Sequence, residues 1–199
     1  FNSIDFAIFL PLVFLLYWAL QERLKWQNAF ILLASAVFYG WWDVRFLLLI
    51  AISTVIDYAA ALLMNRTQTQ QKWRRYWLGL SIGANLGMLG FFKYFNFFVD
   101  NFIEVFRLFG EELSVERWAI ILPAGISFYT FQTMSYTIDV YRRQLEPTRD
   151  ILAFGAFIGF FPQLVAGPIE RASNLLPQFY ERRRFDYSAA SDGLRQMLW

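Results

Sequence analysis

The amino-acid sequence predicts an all-α protein, a polytopic bundle of helices that crosses a membrane several times. Charged residues make up 17% of the 199 positions and hydrophobic residues 57%, whereas soluble domains carry about 25% charged residues. Five mostly apolar segments approach or exceed the roughly 20 residues of a spanning helix. They lie at 6–20, 29–42, 46–64, 76–98 and 119–141. The lipid bilayer is therefore the first expected partner.

The individual segments differ in detail. The first is predicted to be retained, because Asp5 precedes it where a signal peptide would be basic, and no small-residue cleavage site follows it. The second segment is short and needs residues 26–28 in addition to span the bilayer. The fourth carries Gly79, Gly83 and Gly87 at every fourth position. Such a stripe predicts that another helix packs closely against it.

The basic residues predict which ends of the helices face the cytoplasm. Stretch 99–118 is mostly acidic, whereas two connections are basic: Arg66, Lys72, Arg74 and Arg75 in the first, and Arg142, Arg143 and Arg149 in the second. Lys and Arg are enriched in cytoplasmic loops. Both basic connections are therefore placed inside, and the N-terminus and the acidic stretch outside.

The next apolar segment, "ILAFGAFIGFFPQLVAGPIER", does not fit this alternation. A basic stretch at 182–184 follows it, although a full span would put that stretch outside. Pro162, Pro168 and three glycines interrupt the segment, and both residue types disfavour a continuous helix. The sequence predicts a re-entrant element at 151–169 that returns to the inner side. The alternative is a full span with the basic stretch outside.

One face of the 122–143 segment is polar. At about 100° per residue, its polar side chains fall within an arc of roughly 80°, and they are Tyr129, Gln132, Tyr136, Asp139 and Arg143. Asp139 and Arg143 have the i,i+4 spacing of a helical ion pair. Polar groups are costly against lipid, so the face should point at other helices or water. It could form an interhelical hydrogen-bond ladder or line a substrate path.

The residue types exclude several kinds of chemistry. The chain has no cysteine and no histidine, which removes disulfides, thiolate nucleophiles, the commonest general base and the usual zinc ligand. No catalytic residue and no metal site is therefore predicted within these residues. Asp57 lies deep in its segment without an obvious partner and is interpreted as structural. Asp139, as a single carboxylate in the membrane, leaves a transporter or flippase open.

Two long motifs point to a known family. "LPAGISFYTFQTMSYTIDVYRR" and "FFPQLVAGPIERASNLLPQF" resemble the N-terminal half of the membrane-bound O-acyltransferase family, in its bacterial alginate O-acetylase branch. The resemblance covers essentially all of 1–199, which would be the N-terminal part of a single membrane domain. It places the family's essential histidine beyond Trp199, so that these residues alone would be inactive. The sequence is also expected to be a fragment, because Ser191 or Asp192 is predicted to cap a helix of which only a few residues follow.

The resemblance implies an acyltransferase in the bacterial inner membrane. An acyl group, here acetyl, would pass from acetyl-CoA or another acyl thioester, a co-substrate rather than a bound cofactor, to an exported polysaccharide such as alginate. An extracytoplasmic transferase or an acyl-donor protein would be a further partner, and no nucleic acid is expected. Peptidoglycan O-acyl transfer, D-alanyl transfer, a transporter and a purely structural subunit remain alternatives.

The resemblance also assigns candidate residues to a central substrate path. The residues that the resemblance assigns are Gln132, Tyr136, Asp139, Gln163, Pro168 and Arg171. Tyr129 is added as a candidate because it lies on the same polar face.

Overall fold

The computed structural model of the protein describes residues 4–108, 123, 125–167 and 170–198. These residues form helices and connections without a strand, which confirms the all-α prediction. The helices are α1 (Ile4–Ala19), α2 (Leu24–Trp42), α3 (Val44–Arg66), α4 (Gln71–Leu89), α5 (Phe95–Leu108), α6 (Ile126–Tyr141), α7 (Ile151–Ile158), α8 (Phe161–Ala166), α9 (Ala172–Leu175) and α10 (Tyr187–Leu198).

The first three predicted segments coincide with α1 to α3, and the fourth overlaps most of α4. The fifth is confirmed from Ile126 onward as α6, and its earlier part lies mostly outside the described residues. Among the described helices, α3 is the one whose length and composition suffice to span a membrane. Helix α1 and the apolar stretch Ile151–Leu164, which contains α7 and most of α8, are shorter.

The helical stretch that begins with α4 continues further than predicted. A π-helical turn at Gly90–Tyr94 joins it directly to α5, which ends at Leu108. The sequence analysis ended this helix near residue 98 and placed a loop from residue 99, which is wrong up to residue 108. The reason is that residues 91–108 contain no Gly or Pro, so nothing in the backbone interrupts the helix.

The glycine stripe of α4 does not face the other described helices. A Cβ atom built at Gly79, Gly83 or Gly87 meets no described atom within 4 Å. The prediction of close packing at the stripe is therefore wrong for the part of the chain that the structure describes. The opposite face of α4, with Ser81 and Asn85, is buried instead, because those polar side chains find partners on α3 and α6.

Replacing Gly83 with alanine is expected to stabilise the protein. The added methyl group meets open space, and alanine raises helix stability over glycine by about 0.5–1 kcal/mol. Thermal unfolding of the complete protein in detergent, wild type against G83A, measures the difference. A lower unfolding temperature for G83A would show that a helix outside the described residues packs on the stripe.

The segment from residue 151 is broken in the middle, as predicted. Helix α7 ends at Ile158, and α8 begins at Phe161 with Pro162 in its first turn. The Phe161 amide donates a hydrogen bond to Ser35 Oγ on α2 at 3.2 Å. A side chain of a neighbouring helix thus satisfies a backbone group that the break exposes.

After the break the chain returns to the end of the bundle from which it started. The Tyr180 side chain lies beside Thr148 and Asp150, just before α7. Asn28, near the start of α2, donates from Nδ2 to the Phe179 carbonyl at 2.8 Å. We call residues 148–180 the returning segment. Both ends of the returning segment therefore lie at the same end of the bundle.

The helix at the C-terminal end starts earlier than expected. It begins at Tyr187, and the Asp186 carboxylate accepts hydrogen bonds from Ser188 Oγ and from the Ser188 amide, both at 2.8 Å. These bonds hold the pKa of Asp186 below its usual range. Ser191 and Asp192 are therefore not caps but lie within α10, because Asp186 already satisfies the first free amides.

Candidate functional site

The polar face of α6 turns inward, as predicted. Its members in the helix are all buried, and they are Tyr129, Gln132, Tyr136 and Asp139. Gln132 Nε2 donates to the Phe157 carbonyl on α7 at 3.1 Å. The Tyr136 hydroxyl accepts from the Thr148 amide at 3.0 Å. These two bonds tie α6 to the returning segment.

The predicted ion pair between Asp139 and Arg143 is not formed, although both residues are described. Helix α6 ends at Tyr141, so the two side chains no longer share one helical face. Arg143 adopts a left-handed backbone with φ of 61°, and its guanidinium donates to the Gln68 carbonyl at 3.3 Å. The i,i+4 rule therefore fails here because the helix stops before the pair is complete.

The remaining path candidates lie on the returning segment. Gln163 is buried in α8, whereas Arg171 is exposed immediately before α9. Pro168 lies outside the described residues. The structure thus brings the α6 candidates into contact with α7 and leaves Arg171 at the surface. Throughout the described part of the chain, no group of three Asp, Glu, His or Cys residues could hold a metal ion.

The sequence analysis missed a buried polar cluster between α3, α4 and α6. Each helix contributes two polar residues four positions apart, and we call the six the three-helix cluster: Ser53 and Asp57, Ser81 and Asn85, Thr133 and Thr137. Residues four apart lie on one helix face. The repeated i,i+4 polar pair in three separate segments was the signal that could have identified it.

Asp57 lies at the centre of the three-helix cluster and is 0% exposed. Its carboxylate accepts from Ser81 Oγ at 2.5 Å and from Asn85 Nδ2 at 2.9 and 2.8 Å. Ser53 Oγ in turn donates to Asn85 Oδ1 at 2.7 Å. Asp57 therefore has partners that the sequence analysis did not find, and its interpretation as structural agrees with this packing.

A second feature that the sequence did not indicate is the place of Arg183. Its guanidinium donates to Gln27 Oε1 at 3.1 Å and to Asn28 Oδ1 at 3.0 Å. It also lies over the Phe179 ring, 4.9 Å from the centroid. Partial burial lowers the pKa of Arg183. These contacts fix the basic stretch that follows the returning segment against the start of α2. The α1–α2 connection lies at the same end of the bundle.

The chain is similar to bacterial O-acetylases over most of its length. It is 43% identical over 181 residues to a probable alginate O-acetylase AlgI of Pseudomonas aeruginosa, which covers 91% of this chain and 34% of that protein. Against the probable alginate O-acetylase of Azotobacter vinelandii it is 42% identical over 185 residues, covering 91% and 36%. The resemblance to the alginate O-acetylase branch of the membrane-bound O-acyltransferases is thereby confirmed.

The relatives of this chain have two different names. A peptidoglycan O-acetyltransferase of Helicobacter pylori is 35% identical over 201 residues, covering 87% of the chain and 37% of that protein. The chain spans about a third of the length of the curated relatives it matches. No family model matches it, and no solved structure matches it significantly.

Proposed function

We propose that the chain forms part of a membrane O-acetyltransferase that acts on an exported polysaccharide such as alginate. The observation that carries this proposal is the 43% identity over 91% of the chain to a probable alginate O-acetylase. Identity to the peptidoglycan O-acetyltransferase is lower, at 35%. Four probable alginate O-acetylases are 39–43% identical to the chain, and this higher identity favours an exopolysaccharide over peptidoglycan as the acceptor.

The distribution of polar and apolar side chains supports a multi-pass position in the inner membrane. Large apolar side chains such as Leu15, Leu48 and Val55 point outward, while the three-helix cluster and the polar face of α6 are buried. Soluble proteins rarely leave wide apolar surfaces exposed, and polar groups in a bilayer face the protein interior. In this arrangement α1 to α4 and α6 cross the bilayer, and residues 151–169 form a re-entrant element.

The structure also supports a common cytoplasmic side for the two basic connections. Arg74 donates to the Tyr141 carbonyl at 2.6 Å, and Arg143 reaches the Gln68 carbonyl. The 65–75 and 142–150 connections therefore lie against each other, and Lys and Arg prefer the cytoplasmic side. The acyl thioester, acetyl-CoA or a related donor, would approach from this side.

Acetyl transfer needs a base that takes the proton of the acceptor hydroxyl and donors that stabilise the oxyanion of the attacked carbonyl. The thiol of the donor leaves as the new ester forms. Gln132 and Tyr136 fix the returning segment against α6, and we assign them a positioning role along the substrate path. An extracytoplasmic transferase would be the partner that receives the acetyl group.

Acetyl transfer in native membranes tests the proposal. Membranes from cells with and without the gene for the complete protein are supplied with acetyl-CoA labelled in the acetyl group, together with the polysaccharide of the strain. We expect label in alkali-labile ester linkage on the polymer only with the gene present. Label in peptidoglycan alone would reassign the acceptor, and no gene-dependent ester would reject the transferase.

A further inference from the structure

A cavity lies at the end of the bundle that carries the two basic connections. Its volume is about 240 Å³, and it is lined by Met64, Asn65, Gln68, Arg74, Val140, Arg143, Leu145, Glu146 and Pro147. Ligand pockets for whole cofactors measure roughly 300–1,000 Å³, whereas a water molecule takes up about 30 Å³. The cavity is therefore suited to one small group with a few attached atoms.

Arg74 places a buried positive charge in the wall of this cavity. The residue is 5% exposed, and its Nη2 donates to the Tyr141 carbonyl at 2.6 Å. Its Nε has no hydrogen-bond partner among the described residues. The ion pairs within the described ranges are Asp43–Arg45 and Glu104–Arg107, so no described carboxylate lies within ion-pair distance of Arg74. A buried guanidinium with a free donor favours an anionic partner.

Arg143 provides a second guanidinium in the cavity wall, and its backbone conformation is unusual. It follows the end of α6 in the left-handed region, with φ of 61°. The Arg143 amide donates to the Val140 carbonyl at 3.1 Å and the Gln144 amide to the Asp139 carbonyl at 2.9 Å, the hydrogen-bond pattern of a helix end that normally favours glycine at this position. An arginine in this left-handed conformation raises the conformational energy of the backbone. The reason for an arginine at this position therefore lies in its side chain.

We propose that this cavity binds a phosphate group between Arg74 and Arg143, with the amides of Asn65 and Gln68 completing its wall. Planar guanidinium groups match phosphate oxygens in paired hydrogen bonds. The phosphate can belong to a lipid headgroup at the membrane surface or to a soluble molecule, since both present the same oxygens. The inference stands on the cavity alone and does not depend on acetyl transfer.

Substitution of Glu146 tests the proposal in the opposite direction from substitution of Arg143. This carboxylate also lines the cavity, and it repels an anion held by the two arginines. Glu146→Gln should therefore strengthen phosphate binding severalfold, whereas Arg143→Gly should weaken it at least tenfold. R143G also relieves the left-handed strain and should unfold no earlier than wild type without ligand. R143N, which tolerates the same backbone, serves as a second variant.

The experiment measures binding to the complete protein in two arms. In the soluble arm, calorimetry and thermal unfolding in detergent follow inorganic phosphate at constant ionic strength. In the lipid arm, native mass spectrometry counts phosphatidylglycerol retained from nanodiscs of phosphatidylcholine and phosphatidylglycerol. Arg75→Ala removes an exposed arginine that does not line the cavity, and it is the charge-matched control.

The outcomes separate the two sources and can overturn the proposal. Phosphate binding that R143G weakens, E146Q strengthens and R75A leaves unchanged identifies a soluble phosphate. Retained lipid that follows the same order, without binding of inorganic phosphate, identifies a headgroup. If R143G and R143N bind both probes as wild type does, or if R75A loses as much as they do, the cavity is not a phosphate site.

Discussion

Replacing Asn85 with leucine is expected to lower the free energy of unfolding by about 3 kcal/mol, because the buried Asp57 carboxylate loses its amide donor. Asn85 Nδ2 donates to both Asp57 oxygens, and Asn85 Oδ1 accepts from Ser53. The substitution leaves Ser53 without its acceptor and Asp57 without its amide donor, both in the interior on α3. Reversible unfolding of the complete protein in mixed micelles measures the loss.

Two further variants show whether the loss comes from the cluster. Asn101→Leu makes the same chemical change at an exposed position of α5 and should shift stability by less than about 0.5 kcal/mol. In the double variant D57L/N85L both partners are apolar. Its loss in free energy of unfolding should therefore be smaller than the sum of the losses of the two single variants. Additive losses would mean that Asp57 and Asn85 are not coupled.

Phe154→Ala is expected to destabilise the protein by about 4 kcal/mol, because it opens a cavity where the returning segment meets α6. Phe154 is fully buried, and its ring lies 4.6 Å from that of Tyr136 and 5.8 Å from that of Tyr58, between centroids. The cavity would loosen the segment that Gln132 and Tyr136 hold in place. Thermal unfolding and gene-dependent polymer acetylation at two growth temperatures measure both effects.

Phe98→Ala is the matched control, since Phe98 lies on α5 and is 65% exposed. It should leave both unfolding and acetylation near the wild-type values. An F154A protein as stable as F98A would contradict the packing of α7 against α6.

Hydropathy, helix-breaking residues and helical periodicity predicted much of this fold. Apolar segments gave α1 to α4, since a continuous apolar run has few alternatives to a helix in a bilayer. The glycines and prolines after residue 150 predicted the break between α7 and α8. The 100° periodicity also predicted the inward face of α6, which the burial of Tyr129, Gln132 and Tyr136 confirms.

The errors arose where a local rule was applied without knowing which helices meet. The glycine stripe of α4 indicated a contact, but Ser81 and Asn85 on the other face make it. Asp57 lacked a visible partner because its donors lie 24 and 28 positions further along the chain. The Asp139–Arg143 pair failed because the end of α6 was placed too late. Long-range pairing decided the first two cases, and the position of a helix end decided the third.

The most direct test of the account is the O-acetyl content of the polymers that the source organism exports. The gene for the complete protein is deleted and then restored on a plasmid, and proton nuclear magnetic resonance quantifies ester-linked acetyl groups on the purified exopolysaccharide. We expect deletion to remove the acetyl esters and the wild-type gene to restore them. Unchanged acetylation of every exported polymer after deletion would contradict the assignment of this chain to an O-acetyltransferase.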